Sequence, residues 1–213
     1  SRYSRATSKS LTLRKLAAWG GIKGLDVIAT GDFTHPGWLQ EIESELIQED
    51  SGLFSLKQKS GLCQEIPWYQ GTQVPVETKF ILGTEISSIY KKAGQVRKIH
   101  NLVFFPGLEQ VHKFNQRLGQ VGNLNSDGRP ILGLDARDLL EMVLDIHPQS
   151  FLIPAHIWTP WFSLFGSKSG FNDIQECFED LSSEIFALET GLSSDPKMNW
   201  LWSKLDKFTL VSN

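Results

Sequence analysis

Five residues with metal-binding side chains lie beside or just after short apolar runs of the sequence. They are Asp32, His35, Glu85, His100 and His156. Imidazole nitrogens and carboxylate oxygens are ligands that suit Zn²⁺ or Mn²⁺, and a carboxylate can bridge two ions. A single histidine at the end of a strand is often only hydrogen-bonded, but three of them together with a glutamate favour a metal cluster.

The apolar runs predict the elements that must position these side chains. Runs at residues 25–29, 80–82, 99–105 and 151–155 read as strands, and the first of them reads as a buried strand. Strands alternate with helices along the chain, which favours a parallel α/β barrel or a doubly wound sheet. In such folds polar groups collect at the carboxyl ends of the strands. Residues far apart in the sequence can therefore share one site, and Glu189 is a further candidate acid for it.

Helical spacing and capping residues predict the remaining elements. Helices are expected over residues 11–19, from Pro36 onward, and over residues 108–118, 135–146 and 198–207. Gly20 and Gly21 are expected to end the first helix, and Asp135 is expected to cap the fourth. Strands are expected at residues 185–189 and 209–212. Cys177 is expected to face inward from a short helix and to fill the core of the protein.

Composition limits the class of protein. The chain has 213 residues, 40% of them hydrophobic, which is enough for one sizeable core, and we expect a single domain over residues 1–213. The formal net charge of −3 neither indicates nor excludes binding to DNA. The two cysteines form no CxxC motif, which argues against a disulfide scaffold or a zinc ribbon and favours a reducing, cytoplasmic setting. No apolar run approaches the ~20 residues of a membrane-spanning helix.

Two features of the sequence are candidates for contact with DNA. One is a predicted β-hairpin tip over residues 91–95 with cations close to it, and the other is an aromatic loop over residues 157–170 on which bases could stack. The candidate residues are Arg2, Arg5, Lys91, Lys92, Arg97, Lys98, Trp158, Trp161, Phe162 and Lys168. Each also has an ordinary interpretation, since cations commonly occupy a solvated edge or leader and tryptophans commonly fill cores.

Four segments of the sequence resemble motifs of the PHP (polymerase and histidinol phosphatase) superfamily, in the same order. They are residues 26–35, the bridging-glutamate segment Gly83-Thr84-Glu85-Ile86-Ser87, and the later histidine segments Lys98-Ile99-His100 and Pro154-Ala155-His156. Residues 1–9, 31–36, 154–171 and 188–196 resemble more closely the endonuclease Q family of DNA-repair nucleases. This closer resemblance covers essentially the whole chain.

The resemblance implies a fold and an activity. The implied fold is a distorted (β/α)7 barrel, incomplete at both termini of this chain, with two or three divalent ions (Zn, Mn or Mg). The implied reaction is metal-dependent cleavage of the DNA backbone 5′ to deaminated bases such as uracil and hypoxanthine, or to abasic sites. The implied partners are DNA carrying these lesions and repair or replication-clamp proteins. No association with a membrane is implied.

The resemblance also implies roles for individual residues, with Glu85, His35 and Asp32 as the catalytic set. Glu85 would bridge two metals, His100 and His156 would bind the second, and His35 would bind the third. Members of the superfamily usually have Thr-Asp-His where this chain has Gly-Asp-Phe-Thr-His. Asp32 is therefore left as a ligand, an orienting group for His35 or a cap of the following turn. The opening HxH motif would precede Ser1 and the closing Asp-x-His would follow Asn213, so we expect the chain as given to hold an incomplete cluster and to be inactive.

Two alternatives to a DNA endonuclease remain open at this stage. A PHP-type phosphoesterase could use the same metals on a small phosphate monoester, although the cations of the hairpin and the aromatic loop argue against this. A non-catalytic nucleic-acid-binding module could use the fold only as a scaffold.

Overall fold

The computed structural model describes residues 1–191 and 196–212, which divide into two compact units. The first unit comprises Ser1–Thr84, Phe105–Asn115 and Leu124–Arg129, and the second comprises Glu85–Phe104, Gln116–Asn123 and the described part of Pro130–Asn213. In chain order the helices and strands are α1 (Leu13–Lys23), β1 (Val27–Ala29), α2 (Pro36–Glu45), β2 (Leu46–Gln48), β3 (Phe54–Leu56), β4 (Lys79–Lys92), β5 (Gln95–Phe105), α3 (Leu108–Leu118), β6 (Ile131–Leu132), α4 (Ala136–Ile146), β7 (Phe151–Pro154), α5 (Ile174–Phe178), β8 (Ala187–Thr190), α6 (Pro196–Trp200) and β9 (Thr209–Ser212). A single nuclease domain over residues 1–213 stays a prediction.

In the first unit, helix α1 is longer than the sequence predicted. The Thr12 side chain caps it by accepting the backbone N–H of Lys15, and it continues through Gly20 and Gly21 to Lys23. It ends at Gly24, whose φ of 73° is the left-handed conformation that glycine adopts without strain. The prediction that Gly20 and Gly21 end the helix was wrong because these glycines serve close packing instead. A Cβ atom on Gly20 would lie only 2.5 Å from the Thr78 Oγ1 atom.

The strands of the first unit pair around the first half of β4. Strand β1 is parallel to β4, whereas β2 and β3 form an antiparallel pair and β3 is antiparallel to β4. The prediction of a buried strand at residues 25–29 was wrong, since Leu25 is 44% exposed and Val27 is 45% exposed. Beyond β1, Phe33 is fully buried and packs its ring against those of Phe105 and Phe114, with centroids 5.9 and 6.1 Å away.

In the second unit, β4 and β5 form the hairpin that the sequence predicted. Its two turn residues, Ala93 and Gly94, both have positive φ values, 51° and 76°, as the tight turns of two-residue hairpins require. Strand β6 is parallel to β4, β7 is antiparallel to β5, and β8 is parallel to β9.

The α/β fold class is confirmed, but the pairing of strands is mixed rather than parallel throughout. The β4–β5 pair is antiparallel because a two-residue turn connects its strands, whereas a parallel pair would need a long crossover. The pairings of the described strands form no closed ring. The distorted (β/α)7 barrel that the resemblance implies therefore stays a prediction.

Capping residues place the helices of the second unit. Asp135 accepts the backbone N–H of Arg137 at 2.9 Å and begins α4, and Asp173 caps α5 in the same way. Cys177 on α5 is fully buried, which confirms it as a core residue.

The prediction of one helix over residues 198–207 was wrong. Helix α6 ends at Trp200, where Trp200 and Leu201 are 80% and 84% exposed, and a separate short 3-10 helix over Ser203–Leu205 buries Leu205.

Two further expectations concern the chain beyond Ile185. The strand expected at residues 185–189 is observed as β8 over Ala187–Thr190, and the strand expected at residues 209–212 is β9. Residues 192–195 of the family-like segment 188–196 lie outside the described residues. None of the described helices is long and apolar enough to cross a lipid bilayer.

Candidate metal centre

Three of the predicted metal ligands, Glu85, His100 and His156, meet in the second unit. The Nδ1 atom of His100 lies 2.9 Å from Oε1 of Glu85 and 3.1 Å from Nε2 of His156. The Nε2 atom of His156 lies 3.8 Å from the same Glu85 oxygen. The side chains are mostly buried, with 9% of His100, 15% of His156 and 26% of Glu85 exposed. The cluster is therefore largely sheltered from solvent, and Glu85 is its most exposed member.

Paired strands bring the two histidines together. Strands β5 and β7 are antiparallel with Asn101 opposite Pro154, and the N–H of Ala155 donates to the carbonyl of His100 at 2.9 Å. His156 follows directly, so its ring reaches that of His100, with ring centroids 5.1 Å apart.

The expectation that every ligand lies at a strand end was wrong for two of the three. Glu85 lies within β4 and His100 lies within β5, because both strands of the long hairpin continue well past them. Only His156 follows the end of a strand, two residues beyond β7.

The donor set and its spacing fit a divalent metal. Nitrogen and oxygen ligands at about 2.0–2.2 Å from an ion such as Zn²⁺ lie roughly 2.9–3.6 Å from one another in octahedral or tetrahedral geometry. The three ligand atoms here are separated by 2.9, 3.1 and 3.8 Å. Two imidazoles and one carboxylate are also a common ligand combination for Zn²⁺. Glu85, His100 and His156 could thus hold one ion with small adjustments of their side chains.

The backbone of His156 is held in an uncommon conformation. Its φ of 33° lies on the left-handed side that residues other than glycine rarely adopt, and such residues persist when neighbouring contacts fix them. Glu189, which is 6% exposed, supplies two such contacts. Its carboxylate accepts the N–H of His156 at 2.9 Å, and its carbonyl accepts the N–H of Ile157 at 2.9 Å. Glu189 therefore supports the candidate centre indirectly, because it holds the backbone of the ligand residue His156 in place.

The other two predicted ligands, Asp32 and His35, lie in the first unit. The N–H of Gly37 donates to Nδ1 of His35 at 3.2 Å, and the ring stacks on Tyr3 with centroids 4.2 Å apart. A neutral ring that accepts at Nδ1 carries its hydrogen on Nε2, so neither nitrogen of His35 has a lone pair available to a metal while this hydrogen bond is present. A carboxylate oxygen of Asp32 lies 2.5 Å from the Ser1 nitrogen. Both ligand assignments stay predictions.

A cation and two aromatic rings lie beside His100. The Lys98 ammonium lies over the rings of Trp161 and Phe162, 5.0 and 5.4 Å from their centroids, and the Phe162 ring is 4.7 Å from that of His100. The loop that carries these aromatics is held against β5, because the N–H of His100 donates to the carbonyl of Phe162 at 3.1 Å. Trp161 is 50% exposed. This arrangement offers a positive charge and a stacking surface close to the candidate centre.

Several of the residues predicted to contact DNA already form ion pairs with neighbours in their own unit. The Arg2 guanidinium pairs with Glu41, whose hydrogen bond raises the pKa of Arg2. Burial alone would lower the pKa of Lys92, but hydrogen bonds to Glu179 and Asp135 raise it further than burial lowers it.

Two more of these residues pack against their neighbours. The Arg97 guanidinium donates to the carbonyl of Gly170 and lies 4.1 Å from the centroid of the Phe171 ring. Trp158 packs against Phe165 and donates to Asn199 at 2.8 Å. Arg5, Lys91 and Lys168 are exposed, and all of these DNA contacts stay predictions.

The sequence reasoning missed Thr159, whose hydroxyl lies 3.0 Å from Nδ1 of His156. A hydroxyl residue three positions after a histidine at the end of a strand is a weak signal, because a turn must bring the two together. Here the N–H of Thr159 donates to the carbonyl of His156 at 3.1 Å and closes that turn.

Comparison with known proteins identifies relatives of the chain, although no family model matches it. It is 30% identical to the uncharacterized protein YqxK of Bacillus subtilis over 210 residues, which are 97% of this chain and 48% of that protein. It is 27% identical over 161 residues, 75% of the chain, to an uncharacterized protein of Methanocaldococcus jannaschii, of which it spans 16%. The chain thus spans less than half the length of these relatives.

Two solved structures are similar to the whole chain. One is the lesion-specific endonuclease PfuEndoQ from Pyrococcus furiosus, with a TM-score of 0.77 and 29% identity, of which the chain covers 45%. The other is endonuclease Q in complex with a 27-mer duplex substrate that has an abasic lesion at the active site, with a TM-score of 0.77 and 30% identity, of which the chain covers 46%. The resemblance to endonuclease Q is therefore confirmed over the full length of the chain.

Proposed function

We propose that this chain, with its confirmed resemblance to endonuclease Q, carries part of the active site of a metal-dependent DNA endonuclease. The observation that carries the proposal is the convergence of Glu85, His100 and His156 in a chain of this resemblance. The proposed substrates are duplexes with uracil, hypoxanthine or an abasic site, cut 5′ to the lesion. The proposed fold of the whole catalytic domain is the distorted (β/α)7 barrel.

The three ligand residues have distinct parts in this proposal. Glu85 Oε1, His100 Nδ1 and His156 Nε2 would hold a first ion, and His35 and Asp32 are proposed for the rest of a set of two or three Zn, Mn or Mg ions. Such ions orient the scissile phosphate, activate water as the nucleophile and stabilise the charge on the leaving oxygen. Glu85, within β4, and His100, within β5, lie on strands that hold their backbones rigidly, which is the placement that a precise ligand set favours.

The neighbourhood of His100 supports DNA rather than a small phosphate monoester as the substrate. Lys98 lies on the same strand as His100, so its ammonium could contact a phosphate next to the one that is cut. The exposed ring of Trp161 could stack on a base, and stacking is worth about 1–3 kcal/mol per base in single-stranded complexes. A small monoester would use neither group.

A nicking assay tests the proposal. The resemblance implies further ligands in HxH and Asp-x-His motifs outside residues 1–213, so we expect the chain alone to be inactive. The product of the full reading frame is assayed beside it. Labelled duplexes containing uracil, hypoxanthine or an abasic site are incubated with Mg²⁺, Mn²⁺ or Zn²⁺, with an undamaged duplex as control.

We expect metal-dependent nicks 5′ to the lesion that the variant Glu85→Gln abolishes and the surface variant Glu109→Gln leaves unchanged. Hydrolysis of a phosphate monoester without nicking would favour the phosphoesterase instead. DNA binding without turnover of either substrate would favour a non-catalytic module. Partners among repair or replication-clamp proteins and a cytoplasmic location stay predictions.

A further inference from the structure

We infer that Thr159 is a positioning residue for His156, which fixes the hydrogen of the imidazole on Nδ1 and leaves the lone pair of Nε2 facing the candidate metal centre. The inference deepens the proposed function and rests on its metal site. Its evidence is the hydrogen bonding around one hydroxyl group.

The Thr159 hydroxyl has three neighbours within hydrogen-bonding distance. Its oxygen lies 2.8 Å from the carbonyl oxygen of Trp161, 3.3 Å from that of His156 and 3.0 Å from Nδ1 of the His156 ring. A hydroxyl has a single hydrogen to donate, and a carbonyl oxygen can only accept. The hydrogen therefore goes to a carbonyl, and the shorter contact to Trp161 is the better partner.

The position of this hydrogen determines the state of the imidazole. Because the Thr159 oxygen has already used its hydrogen, it meets Nδ1 of His156 as an acceptor, and Nδ1 must carry the ring hydrogen. In a neutral imidazole the other nitrogen then has a free lone pair. That nitrogen, Nε2, is the atom 3.1 Å from His100 Nδ1 and 3.8 Å from Glu85 Oε1. The hydroxyl thus presents His156 in the form that binds a cation.

The turn that carries Thr159 makes this arrangement stable. The Thr159 N–H donates to the carbonyl of His156 at 3.1 Å, which holds the backbone of Thr159 next to the ring. His35 offers a contrast within its own unit, since the N–H of Gly37 donates to its Nδ1 and fixes the opposite tautomer. Hydrogen bonds of this kind to metal-binding histidines commonly affect metal affinity by 10–100-fold.

Metal titration of the 213-residue chain tests the inference. Zn²⁺ and Mn²⁺ are titrated by calorimetry into the wild type, into Thr159→Val, which replaces the hydroxyl by a methyl group, and into Thr159→Ser, which keeps the hydroxyl. We expect Thr159→Val to bind the metal about 10–100-fold more weakly, and Thr159→Ser to bind it within about threefold of the wild type. The matched control Thr72→Val changes an exposed threonine of the first unit and should bind as the wild type does. His156→Ala marks the complete loss of the site.

A second measurement does not depend on metal binding. Nitrogen-15 NMR of the imidazole should show His156 with its hydrogen on Nδ1 in the wild type and in Thr159→Ser, and a mixture of tautomers in Thr159→Val. Circular dichroism confirms that each variant is folded. If Thr159→Val does not fold, the comparison of Thr159→Ser with the wild type and the wild-type tautomer decide the matter.

The outcomes separate this inference from the proposed function. Thr159→Val binding as tightly as the wild type, while His156→Ala loses binding, would overturn the inference and leave the metal site intact. A wild-type chain that binds no metal would count against the proposed function. In that case a hydrogen on Nε2 of His156 overturns the inference, and a hydrogen on Nδ1 supports the geometry on which it is built.

Discussion

Removing the Glu189 side chain should weaken the candidate metal centre without touching any ligand atom. The carboxylate accepts the backbone N–H of His156 at 2.9 Å and is only 6% exposed, so the variant Glu189→Ala leaves this N–H without its acceptor. A hydrogen bond to a charged group contributes about 1.5–3 kcal/mol. The contact between Ile157 N–H and the Glu189 carbonyl involves only backbone atoms and survives the change.

The left-handed backbone of His156 determines how this loss is divided between the stability of the fold and the affinity for metal. If φ stays near 33°, the full 1.5–3 kcal/mol is expected as lost stability. If the backbone relaxes to an ordinary conformation, it recovers about 1–2 kcal/mol, but the ring moves away from Glu85 and His100. Each 1.4 kcal/mol lost from metal binding weakens it tenfold. The variant must therefore lose stability, metal affinity or some of both.

Urea unfolding with and without Mn²⁺ measures both quantities. Glu189→Gln keeps an acceptor oxygen of similar position and should lose less than Glu189→Ala, about 1 kcal/mol or less. The matched control Glu109→Ala removes an exposed glutamate whose helical partner, Lys113, lies four residues away, and its stability should stay close to that of the wild type. An alanine variant at Glu189 with wild-type stability and wild-type metal affinity would refute the reasoning.

Three further predictions concern DNA binding, core packing and pH. Lys98→Gln should weaken binding to a duplex of any sequence and lower the slope of log affinity against log salt by about 1, measured by fluorescence anisotropy; an unchanged slope would contradict a phosphate contact. Phe178→Ala removes a fully buried ring and should lower the free energy of unfolding by about 3–5 kcal/mol in urea, and a loss below about 1 kcal/mol would show the ring to be poorly packed. Hydrogen bonds from Lys59 and Lys79 lower the pKa of Glu77, so its contribution to stability is present above its unfolded pKa and is lost as pH falls through the lower folded value. Glu77→Gln should therefore flatten the acid side of the stability curve by at most about 1 kcal/mol, since the pair is half exposed and screened, and an unchanged curve would exclude this contribution.

Residue types and strong periodicity made part of the molecule predictable. Glu85, His100 and His156 could be selected because few residue types bind metals and each of these lies beside an apolar run. Helix α3 has the bounds that its apolar spacing predicted, Leu108–Leu118. Asp135 caps α4 as expected, since its side chain satisfies an N–H group that the helix leaves free. These features depend on residue types and on spacing between near neighbours, and both can be taken directly from the sequence.

Features that depend on tertiary packing were not predictable in the same way. Gly20 and Gly21 look like a helix end, but both lie within α1, where Gly20 packs against Thr78 and Gly21 packs against Val74 and Val76. The apolar residues of β1 read as buried, although Val27 faces solvent. The contact between Thr159 and His156 depends on a turn with a left-handed residue, and a single sequence gives no sign of that conformation.

The central claim is that Glu85, His100 and His156 hold a divalent cation, and anomalous diffraction from crystals of the protein grown with Mn²⁺ tests it most directly. We predict an anomalous peak about 2.0–2.3 Å from Glu85 Oε1, His100 Nδ1 and His156 Nε2. This peak should be absent from crystals of the Glu85→Ala variant grown in the same way. Mn²⁺ bound elsewhere with no peak between these three atoms, or the same peak in the variant, would contradict the account.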